Sequence, residues 1–206
     1  MVAPLLVYGG LCWALTDFAR RDRMAAVGAG VAVLALVWLT GTALLRVLPV
    51  SPRQSPILAA LTYGAGLEET FKLLAFLLLW RALRLRPPRD LLPAATGLAC
   101  GFAAAENVLA LWWAAHPAMA LFHRVAMALP AHMGYAAIMA GILARRGAWP
   151  ATRQVVAALL ATIVAHAAYD AAALAGLQTM TRLILAALVV FTCWAWWRHL
   201  RRAAGA

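Results

Sequence analysis

Long uninterrupted apolar runs constrain this chain more than any other feature. Cut at its charge and proline clusters, the sequence divides into stretches near Val2–Phe18, Met24–Leu48, Pro56–Trp80, Leu91–Ala115, Ala118–Ala144, Thr152–Ala175 and Thr179–Trp197. Each far exceeds the roughly 9–11 residues of a membrane-barrel strand, and inside a bilayer a backbone that satisfies its own N–H and C=O groups is a helix. Hydrophobic residues make up 66% of the 206 positions and charged residues only 12%, against roughly a quarter in a soluble domain. A soluble fold is excluded. Seven spans of about 20 residues consume about 140 positions and leave little for any domain outside the membrane. The expected fold is therefore all-α: a polytopic membrane helix bundle of about seven transmembrane helices, one domain over residues 1–206, with its functional core at about 56–175. Pro49-Val50-Ser51-Pro52 and Arg86-Pro87-Pro88-Arg89 carry the clearest helix-stop chemistry.

A net charge of +11 would suggest nucleic-acid binding in a soluble chain, but here the charges form short clusters between apolar runs and compose no basic face. No nucleic-acid partner is expected; the lipid bilayer is. The odd connectors and the C-terminus hold Arg20, Arg21, Arg23, Arg81, Arg84, Arg86, Arg89, Arg145, Arg146, Arg153, Arg198, Arg201 and Arg202, 13 in all, against Arg46, Arg53 and Arg182 in the even connectors. The positive-inside rule then places the N-terminus outside and the C-terminus in the cytoplasm. The opening MVAPLLVYGG has no basic region before its apolar stretch, so it reads as a retained span rather than a signal peptide. Cys12, Cys100 and Cys193 are odd in number and far apart, and are expected to be small buried hydrophobes.

Four of the seven acidic residues lie within spans: Glu68, Glu69, Glu106 and Asp170. An ionisable group at the bilayer centre costs roughly 2.5–3.5 kcal/mol, so such groups face a protein interior or a wet cavity. The only lysine, Lys72, is one helical turn beyond Glu68 and three residues beyond Glu69, where it can serve as their counter-ion. At about 1.5 Å per residue, Glu68 and Glu69 lie ~18 Å down from the outer end of their span and Glu106 ~22 Å up from the inner end of the next. His132 then lies ~21 Å down, and His166 and Asp170 ~21 and ~27 Å up, with i,i+4 spacing that puts the last two on one helix face. Four helices bring ionisable groups to overlapping depth. Such a cluster can be interhelical glue, the relay of a proton- or ion-coupled transporter, or a hydrolytic centre in which a carboxylate takes a proton from water while imidazoles or a metal polarise a carbonyl. Against a transporter, no repeated half or pair of interrupted helices is visible.

These residues resemble a known family. Glu68-Glu69-Thr70-Phe71-Lys72 looks like an EExxK motif, Phe102-Ala103-Ala104-Ala105-Glu106-Asn107 like FxxxEN, His132 followed by Gly141 like a third motif, and His166-Ala167-Ala168-Tyr169-Asp170 like HxxxD. Four motifs in order on successive spans, over about residues 60–175, are similar to the PrsW family of intramembrane proteases. The wider superfamily contains the CAAX prenyl endopeptidases and bacteriocin-processing enzymes. There the basic residue comes one position later and the second motif ends in His, so the departures favour the PrsW branch. The resemblance implies a multi-pass protein of a bacterial-type inner membrane that cuts a membrane-anchored, anti-sigma-factor-like protein near the outer leaflet. It implies catalysis by Glu68, Glu69, Glu106, His132, His166 and Asp170, with Lys72 as charge partner. Water is activated by glutamate either alone or with a zinc ion, for which Glu69, Glu106, His132 and His166 are the candidate ligands.

Other residues have plainer readings. His123 and Arg124 are expected to anchor the outer end of their span, and the Trp residues at span ends, Trp112, Trp113, Trp194, Trp196 and Trp197, to form an aromatic belt. Gly97 and Gly101 make a small-xxx-small step suited to close helix packing, and Gly64 and Gly66 are expected to do the same.

Overall fold

The computed structural model describes residues 20–47, 55–112, 114–144 and 149–203. The expected first span, Val2–Phe18, the Pro49–Pro52 connector, Cys12 and Trp113 lie outside the described residues. Within them the secondary structure is helical, without a strand. In chain order come α1 (Arg20–Val47), α2 (Pro56–Ala59), a π-helical turn (Ala60–Gly64), α3 (Ala65–Leu83), α4 (Leu91–Trp112), α5 (Pro117–Leu143), α6 (Thr152–Leu174) and α7 (Gln178–Ala203).

Five of these stretches are long and apolar enough to cross a membrane: Arg21–Val47, Leu91–Trp112, Ala118–Leu143, Thr152–Leu174 and Gln178–Arg202. Segment 56–83 is not among them, because the π turn interrupts it and it carries Glu68, Glu69, Lys72 and Arg81. Large apolar side chains such as Leu39, Leu78, Phe122, Val164 and Val190 are exposed on the outside of the bundle, where lipid tails rather than protein would cover them.

Local chemistry explains the helix ends. At the end of α3, Arg84 takes a left-handed conformation (φ 54°) and the Leu85 N–H reaches back to the Trp80 carbonyl at 3.0 Å, closing the last turn. The Asp90 carboxylate accepts the Arg86 N–H at 2.8 Å and fastens the proline-containing connector just before α4. α7 runs past the expected end at Trp197. Its last turns stack the guanidinium groups of Arg198 and Arg201 over the rings of Trp194 and Trp197, at 4.9 and 5.1 Å. Trp196 on the same helix is buried, an exception to the belt reading. The cysteines also depart from expectation: Cys100 is half-buried and Cys193 exposed.

α1 lies along α4 and α3, α4 along α5, and α5 along α6 and α7, with α3 packed on α6. The α1–α4 crossing is made at backbone level. A Cβ on Gly30 would collide with the Leu98 carbonyl oxygen and the Phe102 nitrogen, and one on Gly101 with the Val27 carbonyl oxygen. A Cβ on Gly97 would come within 3.1 Å of the Ala26 methyl group. The small residues on the fourth expected span thus do what their spacing suggested. On the third, Gly64 does meet a neighbouring helix, at the Asp170 carboxylate on α6, whereas Gly66 faces the Leu61 carbonyl of its own segment, one π turn earlier.

Candidate active site

α3 delivers Glu68, Glu69 and Lys72 to one side by i,i+3 and i,i+4 spacing. The Lys72 ammonium donates to Glu68 Oε2 at 3.0 Å and to Glu69 Oε1 at 2.9 Å. The two glutamates differ in setting. Glu69 is completely buried, whereas the Glu68 side chain keeps 13% of its surface open. Among the described residues, Glu69 Oε2 is buried without a hydrogen-bond partner.

α5 contributes His132, whose Nδ1 lies 3.2 Å from the Lys72 ammonium and whose Nε2 lies 3.0 Å from Glu106 Oε2 on α4. An ammonium only donates, so Nδ1 is the acceptor here and Nε2 carries the hydrogen that Glu106 receives. α6 contributes His166, with Nδ1 2.9 Å from Glu69 Oε1 and Nε2 3.3 Å from Asp170 Oδ2. Each imidazole is thus held against a carboxylate, Glu106 for His132 and Asp170 for His166. One ligand atom from each of Glu68, Glu69, His132 and His166 can be chosen so that all lie within 4.8 Å of one another.

Every charged residue predicted for the site is in this assembly. Its inner arrangement differs from the sequence expectation: Glu68 joins Glu69, His132 and His166 in the compact group, and Glu106 stands behind His132. Arg124, read above as an interfacial anchor, instead pairs with Glu106 Oε1 at 2.6 Å and donates from Nε to Asn107 Oδ1 at 2.9 Å. His123 beside it is exposed, as an anchor would be. Glu106, Arg124 and Asp170 each keep about a quarter of their side-chain surface open, so the cluster reaches the surface on this side, whereas Glu69, His132 and His166 are buried.

Sequence reasoning missed Tyr135. Its ring stacks on His166 (centroids 4.5 Å apart, planes at 20°) and meets His132 edge-on at 5.9 Å, and the two imidazoles meet each other at 5.4 Å. Its position three residues after His132 on one helix was the available signal. Phe102, the first residue of the second motif, lies 5.3 Å from the His132 ring and gives its face to Lys72, whose nitrogen is 3.9 Å from the ring centroid.

The π turn has a local purpose in this geometry. A Cβ on Gly64 would come 2.8 Å from Asp170 Oδ2, the oxygen that faces His166. Gly64→Ala should therefore push Asp170 off the imidazole and weaken metal affinity or cleavage by about 10–100-fold, the effect expected if His166 is a metal ligand that Asp170 orients. Gly141→Ala is the control, because a Cβ there meets nothing within 4 Å among the described residues. Equal behaviour of the two variants in zinc titration and cleavage would remove Gly64 from the site.

The donor set suits a divalent ion. It offers an oxygen and two imidazole nitrogens with a further carboxylate beside them, each imidazole is oriented by a carboxylate behind it, and Glu69 has an oxygen without a partner. No curated protein and no solved structure matches the chain. The family described as PrsW family intramembrane metalloprotease matches residues 22–197, which takes in every helix that forms the site. An oxygen- and imidazole-lined cluster buried among apolar helices, together with a match over most of the length, makes this chain a multi-pass membrane protein and a protease, a member of the PrsW family of intramembrane metalloproteases.

Proposed function

We propose that the chain is an endopeptidase that cuts a membrane-anchored protein, of the anti-sigma-factor kind, near the outer leaflet of a bacterial inner membrane, using water activated by Glu68. The observation that carries this reading is the contrast between the two adjacent glutamates. The Glu68 side chain keeps 13% of its surface open, with Oε2 3.9 Å from His166 Nε2, while Glu69 is sealed against Lys72 and His166. A base must reach water; a ligand need not. Glu69, His132 and His166 form the two-histidine, one-carboxylate set common in catalytic zinc sites, and these residues would hold the metal. When bound, the ion supplies Lewis-acid polarisation of the scissile carbonyl.

The remaining residues have supporting roles. Glu106 accepts the Nε2–H of His132 and so keeps Nδ1 turned toward the cluster, and Arg124 with Asn107 holds Glu106 in that position. Asp170 orients His166, and Tyr135 fixes the plane of that ring by stacking on it. Because the family is one of proteases, the transporter reading of the buried carboxylates is not carried forward. Metal analysis of purified protein, paired with cleavage of single-span candidate substrates, tests the proposal. Metal-loaded protein that cuts no membrane-anchored substrate, including anti-sigma-factor-like ones, would defeat it.

The proposal includes seven spans with the N-terminus outside, counting Val2–Phe18 and the segment from Pro56 onward with the five apolar helices. The 13-to-3 distribution of Arg supports it. Reporter fusions after Arg89 and after Ala206 should read cytoplasm, and a fusion after Arg53 should read outside. An external reading at Ala206 would overturn both the count and the placement of the site toward the outer leaflet.

A further inference from the structure

Lys72 is the chain's only lysine, and it is buried. Its nitrogen lies 3.0 Å from Glu68 Oε2, 2.9 Å from Glu69 Oε1 and 3.2 Å from His132 Nδ1. Glu68, Glu69 and His132 are three of the four residues that can gather around a metal ion. The conflict is one of atoms as well as residues. The lone pair of His132 Nδ1 now accepts from the ammonium, and with Nε2 committed to Glu106 it is the lone pair a metal would need. Zinc sits about 2.0–2.2 Å from a nitrogen ligand, so an ion on the Nδ1 lone pair and an ammonium nitrogen 3.2 Å from that same Nδ1 would overlap. The two cations exclude each other at this position.

One partner of the ammonium would remain after displacement. The Phe102 ring centroid is 3.9 Å from the Lys72 nitrogen in its present place, and a small cavity bordered by Glu69, Lys72, Phe76, Leu98, His132 and Met139 adjoins the lysine. An ammonium pushed off the carboxylates can stay charged against the ring face. We propose that Lys72 is a displaceable resident cation: it keeps Glu68, Glu69 and His132 neutralised and assembled, a divalent ion loads by displacing it, and Phe102 receives it. This rests on the metal reading given above. It also gives the lysine of the first motif and the phenylalanine of the second a single joint task.

Zinc alone is the probe. In calorimetric titrations of detergent-purified protein, Lys72→Met should bind zinc at least about tenfold more tightly than the wild type, because the competitor is gone. Phe102→Leu should weaken zinc binding severalfold when Lys72 is present and have no effect in the Lys72→Met background, a coupling that independent structural damage would not produce. Lys72→Met leaves the sealed Glu69 and the partly open Glu68 without their cation and can fail to fold. The wild type therefore supplies a separate readout. Protein labelled with ¹³C at the lysine ε-carbon gives one side-chain signal, which should shift in step with stoichiometric zinc. Zinc binding with an unmoved lysine signal, or a folded Lys72→Met that binds zinc no more tightly than wild type, overturns the displacement. Folded wild type and Lys72→Met that both bind no zinc overturn the metal reading, and the displacement with it.

Discussion

Glu68→Gln is expected to leave a folded, zinc-loaded protein whose cleavage of a membrane substrate falls by about 10²–10⁴-fold, the range associated with loss of a general base. Gln keeps the shape of the side chain and an oxygen for the Lys72 ammonium now 3.0 Å away, so little else should change. Glu69→Gln should look different. Glu69 Oε1 accepts from Lys72 and faces His166 Nδ1, both at 2.9 Å in a fully buried setting, and a neutral amide would leave that lysine undercompensated. That variant should lose metal and thermal stability along with activity. Cleavage within a few-fold of wild type by Glu68→Gln would transfer the base to another group, and equal metal loss in the two variants would erase the distinction between open and sealed glutamate.

The metal prediction has the next largest expected effect. His132→Ala removes one of two imidazole ligands and should reduce bound zinc to less than about a tenth of an equivalent, with activity lost in parallel. Glu106→Ala acts from behind, freeing the His132 ring at Nε2 and releasing Arg124, and should weaken zinc affinity by about 10–100-fold while excess zinc restores cleavage. Elemental analysis and zinc-dependent cleavage curves separate the two. Chelation of the wild type should be reversed by adding zinc back. Protein that cleaves with less than about a tenth of an equivalent of any divalent metal would leave glutamate-activated water as the mechanism and make Glu106 purely a holder of the imidazole.

That these residues meet was legible in the sequence; how each helix is turned about its axis was not. Counting residues from span ends placed Glu68, Glu69, Glu106, His132, His166 and Asp170 at overlapping depth, and the helices bring them together. Local spacing also announced the Lys72 contacts, because i,i+3 and i,i+4 partners meet whatever the helix packs against. Whether Glu106 or Glu68 would complete the compact group depends on how α4 is turned relative to α5, which no count along one helix contains. The same holds for Arg124, which lies near the start of α5 and finds Glu106 and Asn107 only through the α4–α5 packing. The π turn was invisible for another reason. Ala60–Gly64 reads as ordinary membrane-helix sequence, and only the approach of Leu61 to Gly66 and of Asp170 to Gly64 shows why glycine is used there.

The glycine crossing between α1 and α4 has a mechanical consequence. Where side chains separate two helices, the pair can slide by small rotamer adjustments, the shear mode of many conformational changes. Here main chain touches main chain at Gly30 and at Gly101, with no side-chain layer to deform, so translation along the seam would drive carbonyl groups into neighbouring backbone. α1 and α4 therefore behave as one stiff plate. Phe102, Glu106 and Asn107 ride on that plate, and any widening that admits a peptide must come from swinging other helices against it as hinged bodies.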